Sequence, residues 1–377
     1  MLAIGLIALI SGWSVYRYLI QDGGDHVSGV GNLNISWFVF RDVDRDGVYD
    51  MDERPYAGLR IRLERPDGET ISSLSNVSGF ANFKMSIDPK KGVISEEGTY
   101  RLSANPPPGW QVTSGAETVD VEFVFLGDSP AGIVAASTPD PLGVAPVPRI
   151  TGWTEAGDST IIATDPSGEQ HEVKTDRNGS FEITGNTGTW LLASGTGSAD
   201  TGQTTRIDVH YYPIVLSRSF LTSSDEPSKG REITTGYDDL TMSERVYKIP
   251  NGYRGLKWKD WIATHSLLYG GAGYVNATIS SDYVAYNSSG HPGFISSDRS
   301  FDFIETYIGI AWPKAAKGDV RVEGYRAGEL VYNDNLKLSH WSPVHFYANY
   351  LNITSLKIYS DIYWQVILED SRFRLRE

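Results

Sequence analysis

The 377 residues are enough for two or three domains, each burying its own core. A net charge of −14 offers no basic face for phosphate and so sets aside nucleic acid as a partner. The lack of cysteine removes disulfides, zinc–thiolate sites and thiol nucleophiles together, and 39 glycines, 18 prolines, 21 tyrosines and 10 tryptophans among short alternating segments point to all-β modules.

Residues 2–15 are uncharged and mostly apolar, and the apolar character continues past Arg17 to Ile20. That is about the length that crosses a bilayer if Arg17 reaches the headgroups. A signal peptide and a retained anchor compete over residues 1–22. No basic residue precedes the segment, and Gly12-Trp13-Ser14 is a poor cleavage site. The expectation is an N-terminal hydrophobic helix that enters the membrane through residues 2–20, with Asp22 and Asp25 outside.

A glycine-rich spacer leads to a first β module over residues 31–127. Its acidic loop carries Asp42, Asp44, Asp46, Asp50 and Glu53 at the first, third, fifth, ninth and twelfth places, with Gly47 at the sixth. This is the spacing by which a short loop wraps Ca²⁺: three carboxylates on alternate residues, a glycine at the bend, the Val48 carbonyl, Asp50 directly or through water, and Glu53 closing. Without a cation these groups and Asp52 repel one another in a small volume. The flanks, residues 34–40 and 59–63, are rich in aromatic and β-branched residues and are followed by the turn Pro66-Asp67-Gly68, so the loop joins strands and not helices.

In these residues the module resembles the calcium-binding B domains of serine-aspartate-repeat surface adhesins and collagen-adhesin B-type domains, with the shared pattern spanning residues 38–62. The resemblance implies a β-sandwich used as a stalk segment. Relatives of that kind often cross-link a lysine on the first strand to an asparagine on the last. Residues 34–41 contain no lysine, so no isopeptide bond is expected and Ca²⁺ is the expected stiffener.

Residues 128–149 are rich in proline and have no period, which predicts a semi-rigid extended linker. The next module, residues 150–212, repeats part of the first: Pro66, Gly68, Glu69 and Gly79 recur as Pro166, Gly168, Glu169 and Gly179, all offset by 100, with Asp176 in place of Asn76. Its stretch Thr175-Asp176-Arg177-Asn178-Gly179-Ser180-Phe181 resembles the hairpin of carboxypeptidase regulatory-like, transthyretin-like β-sandwiches. Asp176 reads as a turn cap.

A second linker is expected over 213–230, then a C-terminal module over 231–377. It holds Trp258, Trp261, Trp312, Trp341 and Trp364 and recurring strand alternation, which suggests a jelly roll. Residues 237–240, 249–258, 301–303 and the pair Glu369-Asp370 resemble secreted domains that look like carbohydrate-binding jelly rolls. The expected fold is therefore all-β: a hydrophobic helix, two immunoglobulin/transthyretin-like β-sandwiches and a C-terminal jelly roll.

Asp238-Asp239 and Glu369-Asp370 are the carboxylate pairs a glycosidase would need, but their places suit ordinary surface charges, or a second metal site on Asp239 and Asp370, better than catalysis, and no catalytic residue is expected. His340 and His345, five apart, fall on opposite faces of a strand and share no metal. Trp258 and Trp261 are candidate sugar-stacking faces, with core packing as the alternative. Asn-X-Ser/Thr occurs at Asn34, Asn76, Asn178, Asn276, Asn287 and Asn352, an excess compatible with glycosylation. Together these readings describe a non-enzymatic, extracellular surface protein with Ca²⁺ as cofactor. Its partners would be glycans, other surface proteins or copies of itself in a filament. A secreted polysaccharide-acting enzyme, or its carbohydrate-binding accessory subunit, is the alternative.

Overall fold

The structure, a computed structural model, describes residues 34–154, 157–195, 204–218, 220–221, 229–240, 246–313, 318–362 and 364–376. The membrane segment expected over residues 2–20 lies outside them. Among the described residues no helix is long and apolar enough to cross a membrane.

Burial with a period of two builds the first pair of sheets. In the strand Asn34–Arg41, Ile35, Trp37 and Val39 are buried while Asn34, Ser36 and Phe38 are not. This strand pairs antiparallel with Phe80–Lys84 and parallel with Leu142–Pro146, which pairs in turn with Trp110–Val112. A second sheet runs Thr70–Leu74, Arg60–Glu64, Gly98–Asn105, Thr118–Phe125, Ile133–Ala135. Trp37, Phe83 and Val144 of one sheet meet Ile61, Tyr100 and Phe123 of the other in a common core.

Two of these strands fall where residues 128–149 were expected to be a linker, and that reading is corrected. Leu142–Pro146 is buried at every residue, so it lacks the alternation that marks a half-buried strand. The surrounding prolines concealed it, although proline is tolerated at strand ends.

The 100-residue offset corresponds to a repeated build. Thr160–Thr164 pairs with Gln170–Lys174 as Arg60–Glu64 pairs with Thr70–Leu74. The following turns are also alike: Asn76 Oδ1 accepts the backbone N–H groups of Ser78 and Phe80, and Asp176 Oδ1 those of Asn178 and Ser180. Each turn ends in a glycine at positive φ, +83° at Gly79 and +80° at Gly179. A Cβ there would lie 2.5 Å from the Val39 carbonyl oxygen or 2.3 Å from that of Thr154. Only glycine fits such a position.

In the second unit Gln170–Lys174, Thr160–Thr164, Gly188–Gly195 and Thr204–Val209 form one sheet, while Ser180–Thr184, Arg149–Trp153 and Ile214–Leu216 lie in another. The latter continues into the C-terminal region, because Ile214–Leu216 runs parallel to Val344–Ser360. Ser217 adds a backbone bond to Tyr347 O at 3.0 Å and a hydroxyl bond to Ala348 O at 2.6 Å. The expected linker over 213–230 is corrected accordingly: its first residues are a strand shared by two units.

The C-terminal region is built on Val344–Ser360, Gly293–Ile310 and Val366–Arg376, antiparallel strands of 17, 18 and 11 residues. Bulges interrupt their register near Phe303, Glu305 and Tyr307. Asp370 sits at such an irregularity with φ +43°, which ends simple alternation at the Glu369-Asp370 pair.

Candidate metal centre

The strand Asn34–Arg41 delivers the acidic loop at its end, where Asp42 N–H bonds the Val144 carbonyl of the neighbouring strand at 3.2 Å. Asp42 is fully buried, while Asp44 and Asp46 are exposed. Each aspartate commits one oxygen to the loop's own backbone: Asp42 Oδ2 accepts Gly47 N–H at 2.8 Å, Asp44 Oδ1 accepts Asp46 N–H at 3.2 Å and Asp46 Oδ1 accepts Val48 N–H at 2.7 Å. Gly47 takes φ +79°, and a Cβ there would lie 3.0 Å from Thr113 O, so the bend requires glycine.

One carboxylate oxygen from each of Asp42, Asp44 and Asp46 lies within 4.8 Å of the others. Oxygens bound to one Ca²⁺ at ~2.4 Å are at most about 4.8 Å apart, so the trio fits a single ion. Asp42 Oδ1 is buried with no hydrogen-bond partner. A carboxylate oxygen in that condition costs roughly 1–3 kcal/mol or more unless a cation or donor meets it. The residues present therefore fit the ion that the sequence implies.

Three of the six expected ligands converge, and the others stand differently. Glu53 is 7% exposed and closes the loop with its carboxylate, Oε1 accepting Val43 N–H at 2.7 Å and Oε2 accepting Asp50 N–H at 3.2 Å. Burial, with the charges of Asp42 and Asp44, raises its pKa above the usual carboxylate value against the pull of these two bonds. Asp50 and the Val48 side chain are exposed.

Arg41, next to Asp42 in the chain, ties the loop to the C-terminal region. It is 2% exposed and donates to Asn276 O, Thr278 O, Thr278 Oγ1 and Tyr212 Oη at 3.2, 2.6, 2.9 and 3.2 Å. The Asn276 amide mimics a strand partner: its oxygen accepts Ala57 N–H at 3.0 Å, and its nitrogen donates to Ala57 O at 2.9 Å and to His340 O at 3.3 Å. Sequence reasoning missed this junction, because a buried arginine has no local signature and Asn276 was read as a sequon.

The other candidates are placed as follows. Asp239 is engaged by Arg254 at 2.8 Å and by the Tyr253 hydroxyl at 2.8 Å, whereas Asp370 accepts Ser280 Oγ at 2.8 Å. Burial and the nearby charge of Asp238 raise the pKa of Asp370. Among the described residues no three-ligand group includes Asp239 and Asp370. Glu369 is buried, with its oxygens on the Ile279 and Ser281 N–H groups; burial and then Asp370 push its carboxyl up to about 8.

Trp258 and Trp261 are 2% and 0% exposed and pack against each other in the core, so neither offers a face to a sugar. Asn276 and Asn287 are buried with their amide nitrogens donating to carbonyls, which corrects their reading as glycan acceptors. Asn34 and Asn178 are exposed, and Asn76 and Asn352 are half-buried. A further trio, Asp165, Glu169 and His171, was not singled out from the sequence. Asp165 is held at about 2, first by the Ser167 hydroxyl and then by the backbone of its own turn, as a hairpin cap would be.

No family model matches the chain. The bone sialoprotein-binding protein of Staphylococcus aureus (strain MRSA252) is 29% identical over 128 residues, 32% of this chain and 11% of that protein. Serine-aspartate repeat-containing protein E of Staphylococcus aureus (strain N315) is 29% identical over 123 residues, 30% of this chain and 10% of that protein. The chain thus spans about a tenth of the length of the curated relatives it matches. Among solved structures, the shaft pilin spaA of Lactobacillus rhamnosus GG is 10% identical with a TM-score of 0.20, over 48% of this chain and 96% of that one.

Proposed function

We propose that the chain is an extracellular surface protein with a structural and adhesive role. In this reading the acidic loop binds one Ca²⁺, and the folded units present a surface to glycans or neighbouring proteins, copies of itself included. The observation that carries the reading is Asp42, buried at the end of a strand with an oxygen that nothing in the protein satisfies. Calcium loops of extracellular modules hold their ion at ~10⁻⁴–10⁻³ M, so the loop would be loaded outside a cell and empty inside one. The two Staphylococcus aureus relatives support the surface assignment, one of them named for binding bone sialoprotein.

The ion's role here is mechanical. It would neutralise the aspartates, fix the end of Asn34–Arg41 and hold Arg41 on its carbonyl acceptors in the C-terminal region.

The test is attachment of beads coated with the full chain to glycan arrays and to immobilised matrix proteins, in Ca²⁺ and after chelation. Saturable attachment that weakens on chelation, with no release of reducing sugar, supports the proposal. Reducing-sugar release that is lost in Asp239→Asn would replace it with the enzymatic alternative.

A further inference from the structure

A cleft of about 650 Å³ opens where the first sandwich meets the C-terminal region, within the ~300–1,000 Å³ range of small-molecule sites. One wall is aromatic. Phe38 lies 4.9 Å from both Tyr49 and Phe80, ring centre to ring centre, and Tyr49 stands edge-on to it at 81°. Phe38 and Phe80 are half-buried and Tyr49 is 41% exposed.

The lining also carries charged groups: Arg54, Asp282 and Arg41, whose buried guanidinium is already committed to Asn276, Thr278 and Tyr212. Arg54 and Asp282 form an ion pair at 2.6 Å, with side-chain exposures of 28% and 63%. His265 Nδ1 accepts Leu267 N–H at 3.2 Å, which places the ring proton of its neutral form on Nε2 as a donor. Ser78 and Ser266 also belong to the lining.

Aromatic rings in one cleft with a paired donor and acceptor match a ring that is apolar on its faces and hydroxylated on its edge. A hydrocarbon would cover the Arg54–Asp282 pair from water and offer its remaining N–H groups and lone pairs no partner. An anion would meet Asp282, and a cation would meet Arg54.

We propose that this cleft binds a neutral pyranose unit of a glycan, stacked on the exposed Tyr49 ring beside Phe38 and Phe80, with its hydroxyls on the Arg54–Asp282 pair. Asp282 accepts and Arg54 donates, so neighbouring hydroxyls meet both partners at once. The site takes the place of the buried Trp258 and Trp261 as the sugar contact. It deepens the glycan-binding branch of the surface reading and rests on that branch.

The test titrates the full chain with methyl glucopyranoside, methyl galactopyranoside, glucuronate and cyclohexanol, read by saturation-transfer NMR. The expected result is saturable binding of at least one methyl pyranoside, at least tenfold tighter than cyclohexanol or glucuronate. That affinity should fall about tenfold or more in Asp282→Asn and in Tyr49→Ala. Asp282→Asn changes an exposed group and leaves the core intact. Equal binding of cyclohexanol, tighter binding of glucuronate, pyranoside binding indifferent to both substitutions, or no saturable pyranoside binding would each overturn the proposal. Failure here with calcium-dependent attachment to matrix proteins intact would remove the cleft and leave the surface reading standing.

Discussion

Replacing Asn276 with alanine tests how the units are joined. The substitution removes the bonds to Ala57 N–H, Ala57 O and His340 O and strands both polar groups of a residue that is 1% exposed. Each buried group left without a partner costs roughly 1–3 kcal/mol, so the two at Ala57 come to about 2–6 kcal/mol. Several units unfold in one chain, so a single denaturation midpoint is a blunt readout and amide exchange at Ala57 is the sharper one. At ~1.4 kcal/mol per factor of ten, exchange of that amide should quicken by at least about thirtyfold. Urea unfolding should shift in the same direction. The exposed sequon asparagine Asn178 serves as control, and its alanine variant should stay within about 0.5 kcal/mol of the wild type. If Asn276→Ala matched that control and left Ala57 protection unchanged, the inter-unit junction described here would be wrong.

Other consequences follow from the same contacts. Burial holds the His340 ring down at about 4, below its ordinary 6.5, so its contribution to stability is complete above ~6.5 and is lost as pH falls through 6.5 towards 4. The loss amounts to at most roughly 3 kcal/mol, and melting curves between pH 7 and 4 should be flatter for His340→Gln than for the wild type. Gly79→Ala should destabilise by at least ~1–3 kcal/mol more than Gly68→Ala in chemical denaturation. Both glycines have positive φ, but only Gly79 faces a carbonyl oxygen, whereas Gly68 has nothing within 4 Å. In a host that glycosylates, glycopeptide mass spectrometry should find Asn276 and Asn287 unmodified, because their side chains are buried in the folded chain. Occupancy at either would contradict their placement.

The convergence of Asp42, Asp44 and Asp46 was legible because their alternate spacing is carried by local sequence, and one oxygen of each lies within 4.8 Å of the others. The duplicated hairpin was legible for a similar reason: Asn76 and Asp176 cap equivalent turns, and Gly79 and Gly179 occupy positions closed to any side chain. Features that depend on distant partners were not legible. Leu142–Pro146 is a strand because Asn34–Arg41 and Trp110–Val112 flank it, and its five buried residues show no alternation of their own. Trp258 and Trp261 have the residue type of a sugar platform, yet burial, which a lone tryptophan does not reveal, makes them core. Asn276 carries a sequon, but Ala57, 219 positions away, determines its role.

The most direct test of the central claim is calorimetric titration of Ca²⁺ into the full chain, with melting followed in parallel. One saturable site, a melting temperature that rises with Ca²⁺, and loss of both effects in Asp42→Asn are the predicted results. Neither heat nor stabilisation in the wild type, or a titration unchanged by Asp42→Asn, would contradict a cation at the buried end of Asn34–Arg41.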